Sequence, residues 1–250
     1  MMKRGPIFCM CLLFTVVIVN AQSFLEKDQE TFMYEIKYGW IKIGEAQLVH
    51  KRKGSVIALD VLAYTTGIIN WIARLRDSIH TEIDKITYKP RFSFMNRSEG
   101  KYQRKQEDHF DFDMDSVYIS VYETKADKRG HTEHESYHLR DSTFDMLSSY
   151  MYLRSQPWET FNQGDSVMLN MFYEDEYYTF GIEYVGIEEI ETEFGPQTCH
   201  KAYILFPISG TFPEKYMVKV WVTVDERKWP LRVEAKMKFG RAVCELVEIY

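Results

Sequence analysis

Residues 218–240 read VKVWVTVDERKWPLRVEAKMKFG, and this stretch decides the fold class. Val218, Val220, Val222 and Val224 alternate with Lys219, Trp221, Thr223 and Asp225, the period of two of a strand with two unlike faces. The charged run Asp225-Glu226-Arg227-Lys228 turns the chain and Pro230 closes the turn. Leu231, Val233 and Ala235 then alternate with Arg232, Glu234 and Lys236. The pattern predicts a β-hairpin with a wide loop.

The same grammar extends through most of the chain. Phe32, Tyr34, Ile36 and Tyr38 share one face of a strand over residues 31–38, and residues 40–50 pair with it through Gly39. Gly44 marks a bulge or a close backbone approach. Alternating runs predict further strands over 56–64, 77–83, 91–96, 102–112 and 116–124, and again over 167–173, 177–186, 188–194, 199–206 and 242–249. Residues 67–76, GIINWIARLR, carry Ile68, Ile69, Ile72 and Leu75 at helical intervals and predict a short helix, or a lip over the end of the sheet. A longer helix is predicted from Ser142, where Asp145 three positions on forms a capping-box pattern. Its stripe is Phe144, Leu147 and Met151, widened by Met146, Tyr150 and Leu153, and Pro157 stops it. A helix this apolar is buried, plugging one opening of the sheet or crossing its concave face. The expected class is mainly β: a strongly curved antiparallel sheet, half-barrel or barrel with one buried α-helix and a second short helix over residues 67–76.

The N-terminus sets the expected compartment. Lys3 and Arg4 precede an apolar run from Ile7 to Val19 and then Val19-Asn20-Ala21, the plan of a secretory leader cut after Ala21. The run is shorter than the ~20 residues a transmembrane helix needs. Cys9 and Cys11 lie inside it with no lipobox ahead of either. The expected organisation is a leader over residues 1–21 and one periplasmic β domain over 22–250, with no membrane segment after cleavage. Loss of Lys3 and Arg4 leaves 29 basic against 37 acidic residues, a net charge of −8. That balance disfavours nucleic acid and anionic membrane surfaces as partners. Cys199 and Cys244 remain after cleavage, and a bridge or two buried thiols both fit.

An ordered set of residues carries a family likeness. It comprises YEIKYGWIKIGEA from Tyr34 to Ala46, Asp77-Ser78 leading to Pro90, and Asp145-x-x-Ser148 with Tyr152-Leu153-Arg154. Trp221-x-x-x-Asp225, Pro230-Leu231-Arg232 and a closing Gly240 follow in the same order. Together they resemble the domain-of-unknown-function family numbered 3108, exported proteins of bacteria with a double-membrane envelope. The likeness spans residues 32–250 and implies an envelope role without naming a reaction. The hairpin with Trp221 and Pro230 is also similar to the late hairpin of half-barrel proteins that carry lipoproteins and lipids across the periplasm.

No catalytic residue and no cofactor motif emerges from the chemistry of the side chains. The densest polar run, GHTEHESYH, holds His131, Glu133, His134, Glu135 and His138, residue types that ligate zinc. On a strand His134 and His138 share a face roughly 13 Å apart, too far for one ion without a bend, so they are weak metal candidates and a solvated strand edge explains them better. His80, Glu82 and Asp84 fall on one outward polar face, and Asp141, Asp145 and Arg154 suit the two ends of the helix. Ser142, Ser148 and Ser149 lack a nucleophile-elbow context. Aromatic residues are the stronger signal, because flat rings bury much area against apolar ligands or sugar faces. Trp71 and Trp158 flank the helical segments near the mouth of the sheet, and with Leu147 and Met151 they form the candidate ligand site. Two readings follow: a non-catalytic binder of a lipid-like or glycan-like ligand within the curved sheet, or a structural or assembly factor of the envelope with a solid interior and a protein partner. An enzyme, an uncharacterised hydrolase, ranks third. Intact mass of the exported protein is expected to place its first residue at Gln22 without a lipid; an acylated cysteine or a retained Met1 would contradict the leader reading.

Overall fold

The computed structural model describes residues 27–67, 69–72, 74–100, 102–124, 130–206 and 217–250. The leader and its cleavage point lie outside them. Eight strands follow one another first: β1 (Gln29–Tyr38), β2 (Ile41–Lys53), β3 (Val56–Thr65), β4 (Leu75–Asp84), β5 (Pro90–Glu99), β6 (Tyr102–Asp111), β7 (Ser116–Thr124) and β8 (His131–His138). The second series is β9 (Thr143–Phe144), β10 (Ser166–Tyr173), β11 (Glu176–Thr192), β12 (Gly195–Leu205), β13 (Val218–Thr223), β14 (Pro230–Lys236) and β15 (Arg241–Ile249). A one-turn helix, α1 (Ile69–Ile72), joins β3 to β4, and α2 (Met146–Arg154) follows β9.

All fifteen strands form one sheet in the order β8-β7-β6-β5-β4-β3-β2-β1-β15-β14-β13-β12-β11-β10-β9. Pairing is antiparallel except where the two residues of β9 lie parallel to β10. The first strand therefore sits mid-sheet beside the last, and the two edges are β8 and β9. Only residues 139–142 separate these edges in sequence. Five residues of extended chain, from His138 to Thr143, reach at most about 17 Å. The sheet must roll until its edges approach, and the side chains record this: the Tyr177 hydroxyl, at the start of β11, donates to the His138 carbonyl at 2.7 Å. Phe172 packs with Phe110, Val117, Ile119 and Leu139 across the same seam.

Gly44 illustrates how the strands bend. The β1–β2 register slips between Ile36 and Lys37, opposite Gly44 and Lys42. A Cβ at Gly44 would stand 2.6 Å from the Tyr64 carbonyl oxygen, so only glycine fits there. The β10–β11 turn uses another device. Glu174 and Asp175 take positive φ of 48° and 71°, as a tight hairpin turn requires. Both acids are then held by arginines from the facing strands, Arg97 to Glu174 at 2.6 Å and Arg104 to Asp175 at 2.9 Å.

Helix α2 fills the space inside this roll. It begins at Met146, not near Ser142. Ser142 has φ 55° in a turn, and Thr143 and Phe144 are drawn into β9. Asp145 is the cap: it accepts from Ser148 N at 2.7 Å, while Ser148 Oγ accepts from Asp145 N at 2.8 Å. The helix is apolar on more than one face because it meets sheet on several sides. Leu147 and Met151 pack against Ile57, Leu59 and Ile83 of β3 and β4. Leu153 packs with Trp158, Leu169, Ile182 and Tyr184. Tyr150 lies against the cluster built on Phe32, Leu48 and Leu246. Cys199 and Cys244 associate with that same cluster as free thiols.

At the last turn of α2, Arg154 is buried and charged. Its guanidinium donates to Glu30 Oε2 at 3.0 Å and to the carbonyls of Arg227 and Lys228 at 2.8 and 3.0 Å. Burial alone would push the Glu30 carboxyl up, but the neighbouring His50 ring, its Nδ1 3.6 Å from Glu30 Oε2, and the charge and hydrogen bond of Arg154 outweigh it and hold it down at about 2. Removing one member of such a pair leaves a buried charge unpaired and costs about 3–5 kcal/mol. Glu30→Gln and Arg154→Met are each expected to lower the unfolding free energy measured by urea denaturation by an amount in that range. The double variant should lose less than the sum of the two, because the second change removes the charge the first left stranded.

Candidate functional site

The helical site expected from sequence does not assemble. Met151 is fully buried and Trp158 is 2% exposed, its Nε1 donating to the Leu153 carbonyl at 3.0 Å. Trp158 thus belongs to the core and not to a mouth, because the chain after α2 folds back as a 3-10 turn over Trp158–Thr160 instead of running out along the rim. Leu147 is also buried, whereas Trp71 on α1 projects into solvent. Leu147 and Met151 share one core cluster, Trp158 belongs to another, and Trp71 joins neither. His134 and His138 lie on one face of edge strand β8, and His131 on the other, bonded to Glu133 at 2.7 Å. Among the described residues no three His, Cys, Asp or Glu side chains are grouped to hold a metal ion.

Two concave features with room for a molecule lie elsewhere, on either side of the β4–β5 turn. That turn is fixed by Asp84, whose Oδ1 accepts from Thr87 N at 3.0 Å and from Ile86 N at 2.9 Å. The Thr87 backbone bond and its companions, with Arg91 at 2.6 Å, hold the Asp84 carboxyl at about 2 despite partial burial. Tyr88 takes φ 58° and turns inward against Tyr152 of α2, which leaves Lys89 facing out. One depression of about 350 Å³ is lined by Lys89, Phe144, Tyr152, Met168 and Asn170. Another of about 610 Å³ is lined by Lys89, Pro90, His109, Phe112 and Tyr118. Thr87 and Lys89 form the wall common to both. The Lys89 ammonium sits 4.4 Å from the Phe112 ring centroid. Aromatic surface, one cation and several amide or hydroxyl groups can hold a flat or amphipathic ligand.

Sequence reasoning missed a polar group inside the roll. Asp145, besides capping α2, accepts from Thr81 Oγ1 at 2.6 Å. On β6, Gln106 donates to Asp108 two residues on at 2.9 Å. Both carboxylates line an enclosed space of about 20 Å³ with Ser93, Met95 and Phe172, room for one water. Burial pushes the Asp108 carboxyl up to about 7, the Gln106 bond opposing it and the Asp145 charge adding to it. Burial also raises Asp145, against hydrogen bonds from Ser148 and Thr81. The signal was present in the alternation Gln106-x-Asp108-x-Phe110, which puts two polar residues on the face of a buried phenylalanine.

These features define a class: an open, strongly curved, barrel-like antiparallel sheet wrapped around a buried helix. The family model described as Protein of unknown function (DUF3108) matches residues 33–247, and the chain belongs to that family. Among solved structures, the chain is similar to the beta-barrel-like protein of domain of unknown function DUF1849 from Brucella abortus. The TM-score is 0.59 at 7% identity, over 89% of this chain and 97% of that one. At that identity the likeness concerns the fold alone. No curated protein matches the sequence.

The buried Asp108 yields a pH dependence. Its folded value of about 7 lies above the ordinary 3.8, so the folded state keeps a proton that the unfolded chain releases. Its contribution to stability is present below pH 3.8 and is lost as pH rises through about 7. Urea midpoints of Asp108→Asn are expected to exceed those of the wild type above pH 7, with the gap closing toward pH 4.

Proposed function

We propose that this protein is a non-catalytic scaffold or assembly factor of the cell envelope, with a structural interior and its recognition on outer surfaces. The observation that carries this reading is the seating of α2. A carrier of the half-barrel kind needs open volume beneath its helix, and here Met151, Ser148 and Trp158 are buried in side chains from both halves of the sheet. The envelope setting is supported by the leader-like N-terminus and by the family resemblance. The adjoining depressions around Lys89 favour a second reading, surface binding of a small amphipathic or glycan-like ligand, because their volumes fall within the ~300–1,000 Å³ of ligand sites.

Truncation of Met151 separates an interior binder from a scaffold. In a solid interior Met151→Ala leaves a cavity and is expected to cost ~2–5 kcal/mol, with no change in co-purifying small molecules by native mass spectrometry of protein taken from its own envelope. A variant that keeps its stability but changes what co-purifies would overturn the scaffold reading. If a ligand is found whose retention is abolished by Lys89→Ala and untouched by Met151→Ala, the surface depressions hold it.

A further inference from the structure

We infer that one end of the sheet docks on a phospholipid bilayer surface through three aromatic hairpin tips. The tips belong to β3–β4, β1–β2 and β14–β15, which are consecutive along the sheet edge because β4, β3, β2, β1, β15 and β14 are neighbours in that order. Each presents one large ring to solvent: Trp71 at 92% exposure, Trp40 at 91% and Phe239 at 73%. The tips are tied into one rim. Gly39 N donates to the Arg241 carbonyl at 2.9 Å, and Thr66 N donates to the Ile43 carbonyl at 3.0 Å. Neighbouring hairpins are two strand spacings apart, about 10 Å, so the rings form a row instead of a single patch.

The three aromatic tips are themselves basic. Residues 38–42, 66–74 and 237–241 carry Lys42, Arg74, Lys238 and Arg241 and not one Asp or Glu, in a chain whose formal net charge is −6. Lys42 reaches back to Glu35 and Glu45, and Arg241 to Glu234, all on the strands below the tips. Lys238 Nζ lies 5.6 Å from the Phe239 ring centroid. The opposite end also exposes apolar side chains, Ile86 and Met114, and its turns mix acids (Asp113, Asp115, Glu193, Asp225, Glu226) with bases (Lys85, Arg227, Lys228). The acids at the rim's own end, Glu174 and Asp175 of the β10–β11 turn, are held by Arg97 and Arg104, so the three aromatic tips themselves present bases and no carboxylate to an anionic surface.

The geometry favours lipid over a protein partner or a second copy. At protein interfaces tryptophans act from packed pockets ringed by contacts that exclude water. Here each ring stands at the end of its own hairpin. A bilayer interface accepts such rings one at a time, with their apolar bodies among acyl chains and lysine or arginine heads at the phosphates. This inference rests on the envelope reading for its setting and is independent of whether the interior is solid.

Flotation of the exported protein with vesicles of phosphatidylethanolamine and phosphatidylglycerol (about three to one) tests it, beside the variant Trp40→Gln/Trp71→Gln/Phe239→Gln. These side chains are exposed, so equal thermal midpoints are expected and serve as the folding check. A control, Ile86→Gln/Met114→Gln, alters the opposite end. The expected result is vesicle binding by the wild type and the control and at least a tenfold loss in the triple variant. Bromine-labelled acyl chains should quench tryptophan emission in the wild type and less in Trp40→Gln/Trp71→Gln. Absence of wild-type binding overturns the proposal, as does equal binding by the triple variant. Sedimentation showing a dimer that the triple variant loses, without vesicle binding, assigns the rim to a second copy and also overturns it.

Discussion

A guanidinium has to be neutralised wherever it is buried, and Arg154 is buried where three distant parts of the chain meet. It belongs to the last turn of α2, pairs with Glu30 near the start of β1, and takes the carbonyls of Arg227 and Lys228 from the loop between β13 and β14. No one of these segments can satisfy the charge alone. The helix can seat only when the first strand and the late hairpin are both in place, and they are both in place only when β15 has joined β1. The pair need not add net stability over an apolar replacement, since desolvating two charges offsets much of their attraction. Its larger effect is on register: an α2 shifted by a residue would strand a charge in the core.

Polar closure recurs around the roll. The Arg97–Glu174 and Arg104–Asp175 contacts join β5 and β6 to the β10–β11 turn, and Asp145 joins α2 to Thr81. Apolar packing gives the interior its volume, while these directional contacts choose which strands face one another. A sheet joined in this way leaves little space beneath its helix.

Most strands were legible because alternation needs only neighbours in sequence: Phe32, Tyr34 and Ile36 announce β1 without reference to anything else; the pairing of β1 with β15 was not, because it joins opposite ends of the chain. The burial of α2 was also legible, from apolar residues on more than one face. Its start was not: the pattern pointed to Ser142 as cap, but β10 draws Thr143 and Phe144 into a strand and leaves Asp145 as the cap. Trp158 could not be placed, because whether the chain after Pro157 turns in or runs out depends on a tertiary contact with Leu169, Ile182 and Tyr184. The groove around Lys89 was invisible for the same reason. Its walls come from β4–β5, β6–β7 and the β9–β10 edge, segments that no local pattern connects.

The placement of β1 beside β15 has a consequence for synthesis. A polypeptide is made from its N-terminus, so β1 can pair with β2 at once but waits for its other neighbour until Arg241–Ile249 has been made. Through that interval it presents a bare row of amides and carbonyls, with Phe32 and Tyr34 uncovered, the kind of edge that recruits foreign strands. Sequence-distant pairing of this sort is slow, because the chain entropy of a long loop is lost before the contact repays it. The nascent protein is thus most dependent on holding chaperones at the centre of its finished sheet, the place that ends up best protected.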